Sequence, residues 1–338
     1  MSSPKRKVGS RIETDWEIPP RKKNTASNPA CLIRDGSQSV KYGMVLPELD
    51  EWDPRSLPGG FFIVLEGKRR TGKSTFAKWL LQYYQNEFSL VWVMSQTALS
   101  GYWQKFVGDA FVFDHYDAAA IRRLIERNDK IIAAHGEDSP ITKKTASALL
   151  ILDDCINKEV VYSDEFLKLA VEGRHHHISV LFITQDPKTI QPKVRDNTDV
   201  VVIFNLKTKR NKESIWHDYM NDVDRATSEA LLAKYCTEHN TLICIQTNLT
   251  GELKKNFLKS GGDKTKLEFP DYMLGGPTQK EIIKLEREKK RIADAHRAAL
   301  DRSDSRPLSQ RVESDLAACK YTVSGNPRRS ALGADGGF

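Results

Sequence analysis

Short apolar runs alternate with helical patterns through the middle of the chain. Runs rich in β-branched residues predict five core strands, over 61–66, 90–94, 148–152, 179–184 and 200–204, and a sixth over 241–246. Apolar residues at spacings of three and four predict helices over 74–85, 118–134, 163–174 and 227–239. Gly136 and Pro140 mark the end of the second helix. This alternation predicts crossover units, and hence an α/β fold with a mostly parallel sheet flanked by helices.

The two ends of the chain differ in composition from this middle part. Up to residue 41, basic residues lie among prolines, serines and asparagines, a composition that cannot bury enough apolar surface to fold. Residues 279–302 predict a highly charged helix, and the chain beyond 303 is expected to be disordered. We therefore predict a flexible basic tail over 1–41, a main domain over 42–267, and a charged helix with a second tail over 268–338.

Two features of these ends leave alternatives open. Basic clusters over 5–7 and 21–23 are typical of a bipartite nuclear localisation signal, and a solvated arm that touches phosphates explains them equally well. The charged helix carries a thin apolar stripe, formed by Ile282, Leu285, Ile292 and Ala299. The stripe would either dock a partner or belong to a solvated helix with paired charges, and we favour the solvated helix.

Length and composition narrow the class of protein. The chain has 338 residues and a hydrophobic content of 39%, which is enough for a full globular core. No apolar run approaches the roughly 20 residues that a membrane span needs, and the first residues lack the apolar core of a signal peptide. We therefore expect a reducing, intracellular location. The five cysteines lack C-x-x-C spacing, so neither a disulfide framework nor a structural zinc site is predicted.

A glycine-rich segment joins the first predicted strand to the first predicted helix. Residues 67–75 read G-K-R-R-T-G-K-S-T, which contains the pattern G-x-x-x-x-G-K-S. The glycines let backbone N–H groups close around phosphate oxygens, and the helix N-terminus faces the bound charge. The predicted nucleotide-binding residues are Gly67, Lys68, Arg69, Arg70, Thr71, Gly72, Lys73, Ser74 and Thr75. Lys73 would reach the β- and γ-phosphates and is expected to be exposed without ligand, and Ser74 would ligate Mg²⁺.

A pair of carboxylates follows the third predicted strand. The apolar run over 149–152 delivers Asp153 and Asp154 to the carboxyl end of a parallel strand, where ligand sites lie. In this Walker B pattern Asp153 would hold Mg²⁺, and Asp154 would orient or deprotonate an attacking water. The alternative is that the pair caps the next helix. The complete phosphate loop upstream favours the metal and water roles.

The segment that leads through the fourth predicted strand carries a third motif. It reads G-R-H-x-x-I-S followed by an apolar strand ending in Gln, at Gly173, Arg174, His175, Ile178, Ser179 and Gln185. Here the chain resembles the FtsK/HerA superfamily of DNA-pumping ATPases, and within it the poxvirus-type virion DNA-packaging ATPases of large double-stranded DNA viruses. The resemblance covers 60–204. It implies a P-loop sheet with an additional central strand (ASCE, RecA-like), in which the strand ending at Gln185 lies between the other two motif strands, and it implies that Gln185 senses the γ-phosphate.

Two positions depart from the pattern of these relatives. Lys68, Arg69 and Arg70 stand where many relatives have small residues. Asp154 stands where cellular pumps usually have a glutamate, which reaches one methylene further. The viral branch often has Asp-Asp, so the resemblance holds while the identity of the catalytic base stays open.

Two arginines are candidates for an arginine finger in a ring. Arg174 ends a predicted helix, where it either stabilises the helix dipole or reaches a neighbour's nucleotide. Arg195 is the alternative finger, and we prefer Arg174 slightly. The three histidines over 175–177 do not predict a metal site, because adjacent residues point in different directions and no Cys or acidic partner has ligand spacing.

Together these features predict an enzyme that hydrolyses ATP with Mg²⁺, with Lys73, Asp154, Gln185 and Arg174 as catalytic residues. The resemblance further implies a homo-oligomeric ring that moves double-stranded DNA into a capsid, and we expect it to do so without sequence preference. Capsid proteins are further expected partners, and the host nucleus, a viral factory or the virion is the expected location. The alternatives are a P-loop kinase or small-molecule phosphotransferase, and a cellular or plasmid DNA pump without a capsid role.

Overall fold

The computed structural model describes residues 46–155, 158–186, 190–237, 240–247, 252–260 and 272–303. All of them belong to one compact unit, Leu46–Phe338. The predicted tails over 1–41 and beyond 303 lie outside the described residues. The described part forms an eight-stranded sheet with strands β1 Phe62–Glu66, β2 Leu90–Ser95, β3 Val112–Phe113, β4 Ala148–Asp153, β5 Ile178–Thr184, β6 Val200–Ile203, β7 Thr241–Ile245 and β8 Phe257–Ser260.

Helices connect most of these strands. They are α1 Lys73–Leu81, α2 Gln104–Val107, α3 Ala118–His135, α4 Pro140–Thr145, α5 Lys158–Val161, α6 Asp164–Glu172, α7 Pro192–Arg195, α8 Lys209–Tyr219, α9 Arg225–Tyr235, α10 Leu253–Asn256 and α11 Pro277–Ser303. The six predicted strands and the predicted helices are confirmed to within a few residues at each end. Strands β3 and β8, helix α8 and the short helices α2, α4, α5, α7 and α10 were not predicted from the sequence.

The strand order confirms the predicted sheet type. The order is β3-β2-β4-β5-β1-β6-β7-β8. The strands from β3 to β6 in this order pair in parallel, and β7 and β8, which come last, pair antiparallel with β6 and with each other. Strand β5 lies between β1 and β4, as the resemblance implied. The carboxyl ends of β1, β4 and β5 therefore meet at one edge of the sheet, which we call the carboxyl edge, and the opposite edge is the amino edge.

Alternating residues of each strand enter two separate hydrophobic cores. In β1, Ile63 and Leu65 face one core together with Phe76 and Leu80 of α1. Phe62 and Val64 of the same strand face the other core, which also contains residues of α3, α6, α8 and α9. We call these two sides of the sheet the α1 face and the α8 face. Because side chains alternate along a strand, Glu66 at the end of β1 belongs to the α8 face.

The long C-terminal helix is anchored by its first turns. Gln279 is buried, accepts a hydrogen bond from Val91 N at 2.8 Å and donates to Val91 O at 2.9 Å, so its amide extends the backbone ladder of β2. Ile283 is buried beside it, whereas Ile282, Leu285 and Ile292 of the predicted stripe are exposed. These three residues of the stripe are therefore not packed against the sheet. None of the helices in the described ranges combines the length and apolarity of a membrane span.

Candidate active site

The phosphate loop occupies the connection between β1 and α1. At Gly67 a Cβ atom would lie 2.6 Å from the Phe204 Cβ and 2.8 Å from the Thr71 hydroxyl, so only glycine fits. Gly72 has a left-handed φ of 92° directly before α1, a conformation that side chains disfavour. The Thr71 hydroxyl donates to Lys68 O at 2.8 Å and braces the loop. The two glycines of the motif thus have distinct steric roles.

The N-terminus of α1 is open to an anion. Gly72 supplies no side-chain cap, whereas α6 is capped by the Ser163 side chain and α8 by the Thr208 side chain. The first N–H groups of a helix need a partner, and a phosphate is a suitable one. The loop and this uncapped helix end therefore fit a bound nucleotide.

Lys73 closes the loop from inside. Its Nζ donates to the carbonyls of Gly67 and Lys68, the second at 3.0 Å. The residue is only 7% exposed, which corrects the expectation of an exposed lysine. Burial lowers the pKa of Lys73, and the charges of Asp154, Glu66 and Asp153 oppose that shift. The ammonium is thus held on backbone carbonyls that a phosphate would replace.

Asp153 is fixed by an indole that the sequence did not single out. Its Oδ2 accepts from Trp103 Nε1 at 2.8 Å, and burial raises its pKa although this bond opposes the rise. The neighbouring Tyr102 hydroxyl donates to Ser74 O at 2.8 Å. Two adjacent aromatic residues, Tyr102 and Trp103, thus contact the two residues predicted to ligate Mg²⁺, Ser74 through its backbone and Asp153 through its carboxylate.

This pair of oxygen groups fits magnesium. Mg²⁺ keeps several waters and takes only one or two protein ligands beside substrate phosphates. Across the described ranges, no three His, Cys, Asp or Glu side chains are grouped to hold a metal ion by themselves. A site completed by phosphate oxygens and water is consistent with that arrangement.

Asp154 and Gln185 meet at the carboxyl edge. The Gln185 amide donates to Asp154 Oδ2 at 2.5 Å. Asp154 has a left-handed φ of 49°, which is uncommon for a residue other than glycine. Both carboxylates therefore have partners from other strands or loops, Asp153 with Trp103 and Asp154 with Gln185. The Walker B roles of the two carboxylates stay a prediction.

Three basic residues of the phosphate loop precede Lys73 and differ from it in exposure. Arg69 and Arg70 are exposed and Lys68 is half-buried. Arg70 has a left-handed φ of 65°, at a position where the backbone alone would favour glycine. These three residues surround the loop with positive charge beside the predicted phosphate position.

The two candidate fingers lie in different surroundings. Arg174 lies between α6 and β5, at the amino edge, with Gly60 against its backbone. Burial raises the pKa of Asp199, and the Arg174 charge is one of the groups that oppose the rise. Arg195 Nη1 donates to Asp218 Oδ2 at 3.1 Å and to Ile190 O at 3.2 Å, so its guanidinium is already engaged within the chain.

The three consecutive histidines contact different partners. His176 Nδ1 lies 2.5 Å from Asp129 Oδ1, and His177 Nε2 lies 3.2 Å from Glu137 O. His175 Nδ1 lies 3.5 Å from the Glu137 carboxylate. Their contacts join the turn before β5 to α3 and the segment that follows it.

Sequence reasoning missed three residues of the site. Trp103 holds Asp153, Glu66 is a buried carboxyl directly before the phosphate loop, and Tyr219 is a buried phenol in the core on the α8 face. Glu66 could have been recognised from the sequence, because it is a charged residue that ends an otherwise apolar strand directly before Gly67. Trp103 and Tyr219 could not have been recognised in this way, since an aromatic residue in a loop or at a helix end is typical of ordinary packing.

A comparison with protein families identifies one match. The model described as "Poxvirus A32 protein" matches residues 53–234. Uncharacterized protein 075L of Invertebrate iridescent virus 6 is 31% identical over 163 residues, 48% of this chain and 60% of that protein. Uncharacterized protein L437 of Acanthamoeba polyphaga mimivirus is 25% identical over 202 residues, 59% of this chain and 71% of that protein. The match thus spans 60% of the length of the first of these relatives.

Solved structures give weaker likenesses. The genome packaging NTPase B204 from Sulfolobus turreted icosahedral virus 2, in complex with ATP-gammaS, is 15% identical with a TM-score of 0.42, over 60% of this chain and 97% of that chain. The pCW3 conjugation coupling protein TcpA, with ATPgS, is 11% identical with a TM-score of 0.44, over 64% of this chain and 70% of that chain. Both TM-scores are too low to assign this chain an activity by likeness.

Proposed function

Because this chain belongs to the poxvirus A32 protein family, we propose that it is an ATPase that moves double-stranded DNA into a viral capsid. The observation that carries the proposal is the meeting of three motifs at the carboxyl edge: the phosphate loop after β1, the carboxylates at the end of β4, and Gln185 after β5. On this proposal the protein acts where capsids are filled, in the host nucleus, a viral factory or the virion.

The chemistry follows from the positions of these side chains. Lys73 would transfer its hydrogen bonds from two carbonyls to the β- and γ-phosphates. Asp153 and Ser74 would hold Mg²⁺, which supplies charge neutralisation at the phosphates when bound. Asp154 would take a proton from the attacking water, and its bond to Gln185 would orient it. Gln185 would in turn respond to the loss of the γ-phosphate.

The two aspartates are expected to separate binding from hydrolysis. Asp153→Asn should weaken Mg²⁺-dependent nucleotide binding, whereas Asp154→Asn should bind normally and hydrolyse about 10²–10⁴ times more slowly. The measurements are nucleotide affinity with and without Mg²⁺, and single-turnover hydrolysis. Asp164→Asn, an exposed aspartate on α6, is the control. Identical behaviour of the Asp153 and Asp154 variants would contradict this division of roles.

A basic segment at the start of α8 is the surface that we assign to DNA. Lys207, Lys209 and Arg210 are exposed there, directly after β6 and near the carboxyl edge. Lysine and arginine contact phosphates without reading bases, which suits a motor that must move any sequence. The nucleotide site and the proposed DNA surface thus lie at the same edge of the sheet.

DNA binding is expected to be independent of sequence and to weaken steeply between about 50 and 200 mM salt, because counterions are released on binding. Lys207→Ala and Arg210→Ala should each reduce the logarithmic salt slope by about 1. Titration of scrambled duplexes at several salt concentrations measures both effects. Lys130→Ala, which removes an exposed charge on α3, should leave the slope unchanged. A strong preference for one sequence would count against a translocating motor.

ATP hydrolysis and native mass measurements on the same purified protein distinguish a motor from a kinase. ATP turnover by an oligomer, stimulated by long duplex DNA, is the result expected of the motor, with native mass measurement giving the assembly. Phosphoryl transfer to a small acceptor by a monomer or dimer would instead support the kinase alternative. Two cavities in the described part have volumes of about 630 and 410 Å³. A kinase would need an acceptor pocket beside the phosphate loop, and no residue of the loop lines either cavity.

A further inference from the structure

The phosphate-loop strand ends in a carboxyl group with an unusual environment. Glu66 is 0% exposed, and neither Oε1 nor Oε2 has a hydrogen-bond partner within the described ranges. Its backbone is paired, since Phe204 N donates to Glu66 O at 2.9 Å. A buried polar side chain without a partner destabilises a fold, and most such groups in native proteins are satisfied. A glutamate at this position therefore needs a reason other than stability.

Glu66 lies between the nucleotide site and the α8 face. Burial raises the pKa of the Glu66 carboxyl well above its usual range, while the Lys73 charge opposes the rise and the charges of Asp186 and Asp154 add to it. Three charged groups of the carboxyl edge thus act on this residue. Its side chain belongs to the α8 face, because Phe62 and Val64 of the same strand face the core that contains α8.

A second unpartnered group lies on that same face. Tyr219 ends α8 and is buried, and its hydroxyl also has no hydrogen-bond partner in the part of the chain that the structure describes. Burial raises the pKa of Tyr219, and the Glu66 charge is the next largest cause. A phenol hydroxyl both donates and accepts, as does a protonated carboxyl. Each group is therefore chemically suited to satisfy the other.

We propose that Glu66 is a positioning residue that hydrogen-bonds Tyr219 when Lys73 turns from the loop carbonyls to a bound phosphate, and so ties the phosphate loop to α8. Lys73 is bonded to Gly67 O, the residue directly after Glu66, and its charge acts on the Glu66 carboxyl, so a turn of Lys73 to a phosphate changes the surroundings of Glu66. The link connects nucleotide occupancy to the helix whose first turn carries Lys209 and Arg210. This inference rests on the nucleotide binding proposed above.

Hydrogen exchange tests the link directly. In the wild-type chain, a non-hydrolysable ATP analogue with Mg²⁺ should protect amides over 67–75 and over 209–219. Tyr219→Phe and Glu66→Leu, each of which removes one hydrogen-bonding group of the link, should keep the protection of the loop and lose that of α8. Tyr235→Phe is the matched control, because Tyr235 ends α9, is equally buried, and has a hydroxyl that accepts from Leu49 N at 3.2 Å. It should keep both.

The outcomes separate this inference from the proposed function. Absence of loop protection in the wild type would overturn nucleotide binding at the loop itself. Loop protection without a wild-type response of α8, or an α8 response that survives in Tyr219→Phe, would overturn the link alone. Should Glu66→Leu fail to fold, Tyr219→Phe decides the question by itself.

Turnover and stability give an independent readout. Tyr219→Phe should raise the Tm, since it removes a buried hydroxyl without a partner, whereas Tyr235→Phe should lower it. At the same time Tyr219→Phe should reduce kcat by about tenfold with little change in KM, because the link is made only after nucleotide binds. Glu66→Leu should likewise raise the Tm and lower kcat. A variant that is more stable and fully active would show that the two groups have no positioning role.

Discussion

Lys73→Ala is expected to abolish ATP turnover, with a loss of at least about 10²–10³-fold, the effect of removing one preorganised donor to developing charge. Lysine acts at this position as a point charge on the phosphates. The structure adds that Lys73 is buried and bonded to Gly67 and Lys68, so the variant also frees two loop carbonyls. The global fold should survive, because these bonds join residues of the loop itself and neither hydrophobic core contains Lys73.

The measurement is steady-state ATP hydrolysis together with thermal unfolding. Lys73→Met is a second variant, because it keeps the length of the buried stem without the charge. Lys78→Ala is the control from the same helix, since Lys78 Nζ lies over the Phe106 ring at 5.6 Å from its centre, away from the phosphates. Hydrolysis by Lys73→Ala at a rate near that of the wild type would refute the phosphate-loop assignment.

Arg174→Ala is expected to lose about 10³–10⁵-fold in hydrolysis while it retains ATP binding, if the chain works as a ring. The reason is geometric. Arg174 precedes β5 and Gln185 follows it, so the length of Ile178–Thr184, about 20 Å at 3.3 Å per residue, separates Arg174 from its own phosphate loop. An arginine side chain cannot span that distance. Arg174 therefore acts on the nucleotide of a neighbouring subunit or on none.

Mixing two inactive variants tests this trans arrangement. A subunit with Arg174→Ala and an intact phosphate loop should be served by a neighbour that carries Lys73→Ala and an intact Arg174. The mixture should regain part of the activity that neither variant has alone. Arg123→Ala, which removes an exposed arginine on α3, is the control for loss of surface charge.

Mixed rings that form and stay inactive would show that Arg174 is a structural charge at the helix end, beside Asp199. Thermal unfolding of Arg174→Ala distinguishes these roles. Removal of a structural charge lowers the Tm, whereas removal of an arginine finger leaves the Tm unchanged. Arg195 would then be the next candidate. Its ion pair with Asp218 would have to open before it could reach a neighbour.

The sequence by itself determined the parts of this protein that are local. The strand Phe62–Glu66, the loop with Gly67 and Gly72, and the helix that begins at Lys73 follow one another directly, so periodicity and motif predict them together. The carboxylates Asp153 and Asp154 could be predicted too, because they directly follow the apolar run of β4 in the sequence. The central position of β5 followed only from a resemblance to a family. The two-residue strand β3 and the antiparallel strand β8 were missed, because such short edge strands are defined by their neighbours and not by their own pattern.

Only the tertiary structure decided which side chains meet. Trp103 reaches Asp153 across 50 positions of sequence, and Gln185 reaches Asp154 across 31. Lys73 is buried rather than exposed because the carbonyls of its own loop hold it, which a motif does not reveal. Glu66 shares a face with Tyr219 because β1 is central and α8 packs on that side of the sheet. Sequence patterns report the period of one element at a time, and contacts between elements depend on how the sheet is ordered and which face each helix covers.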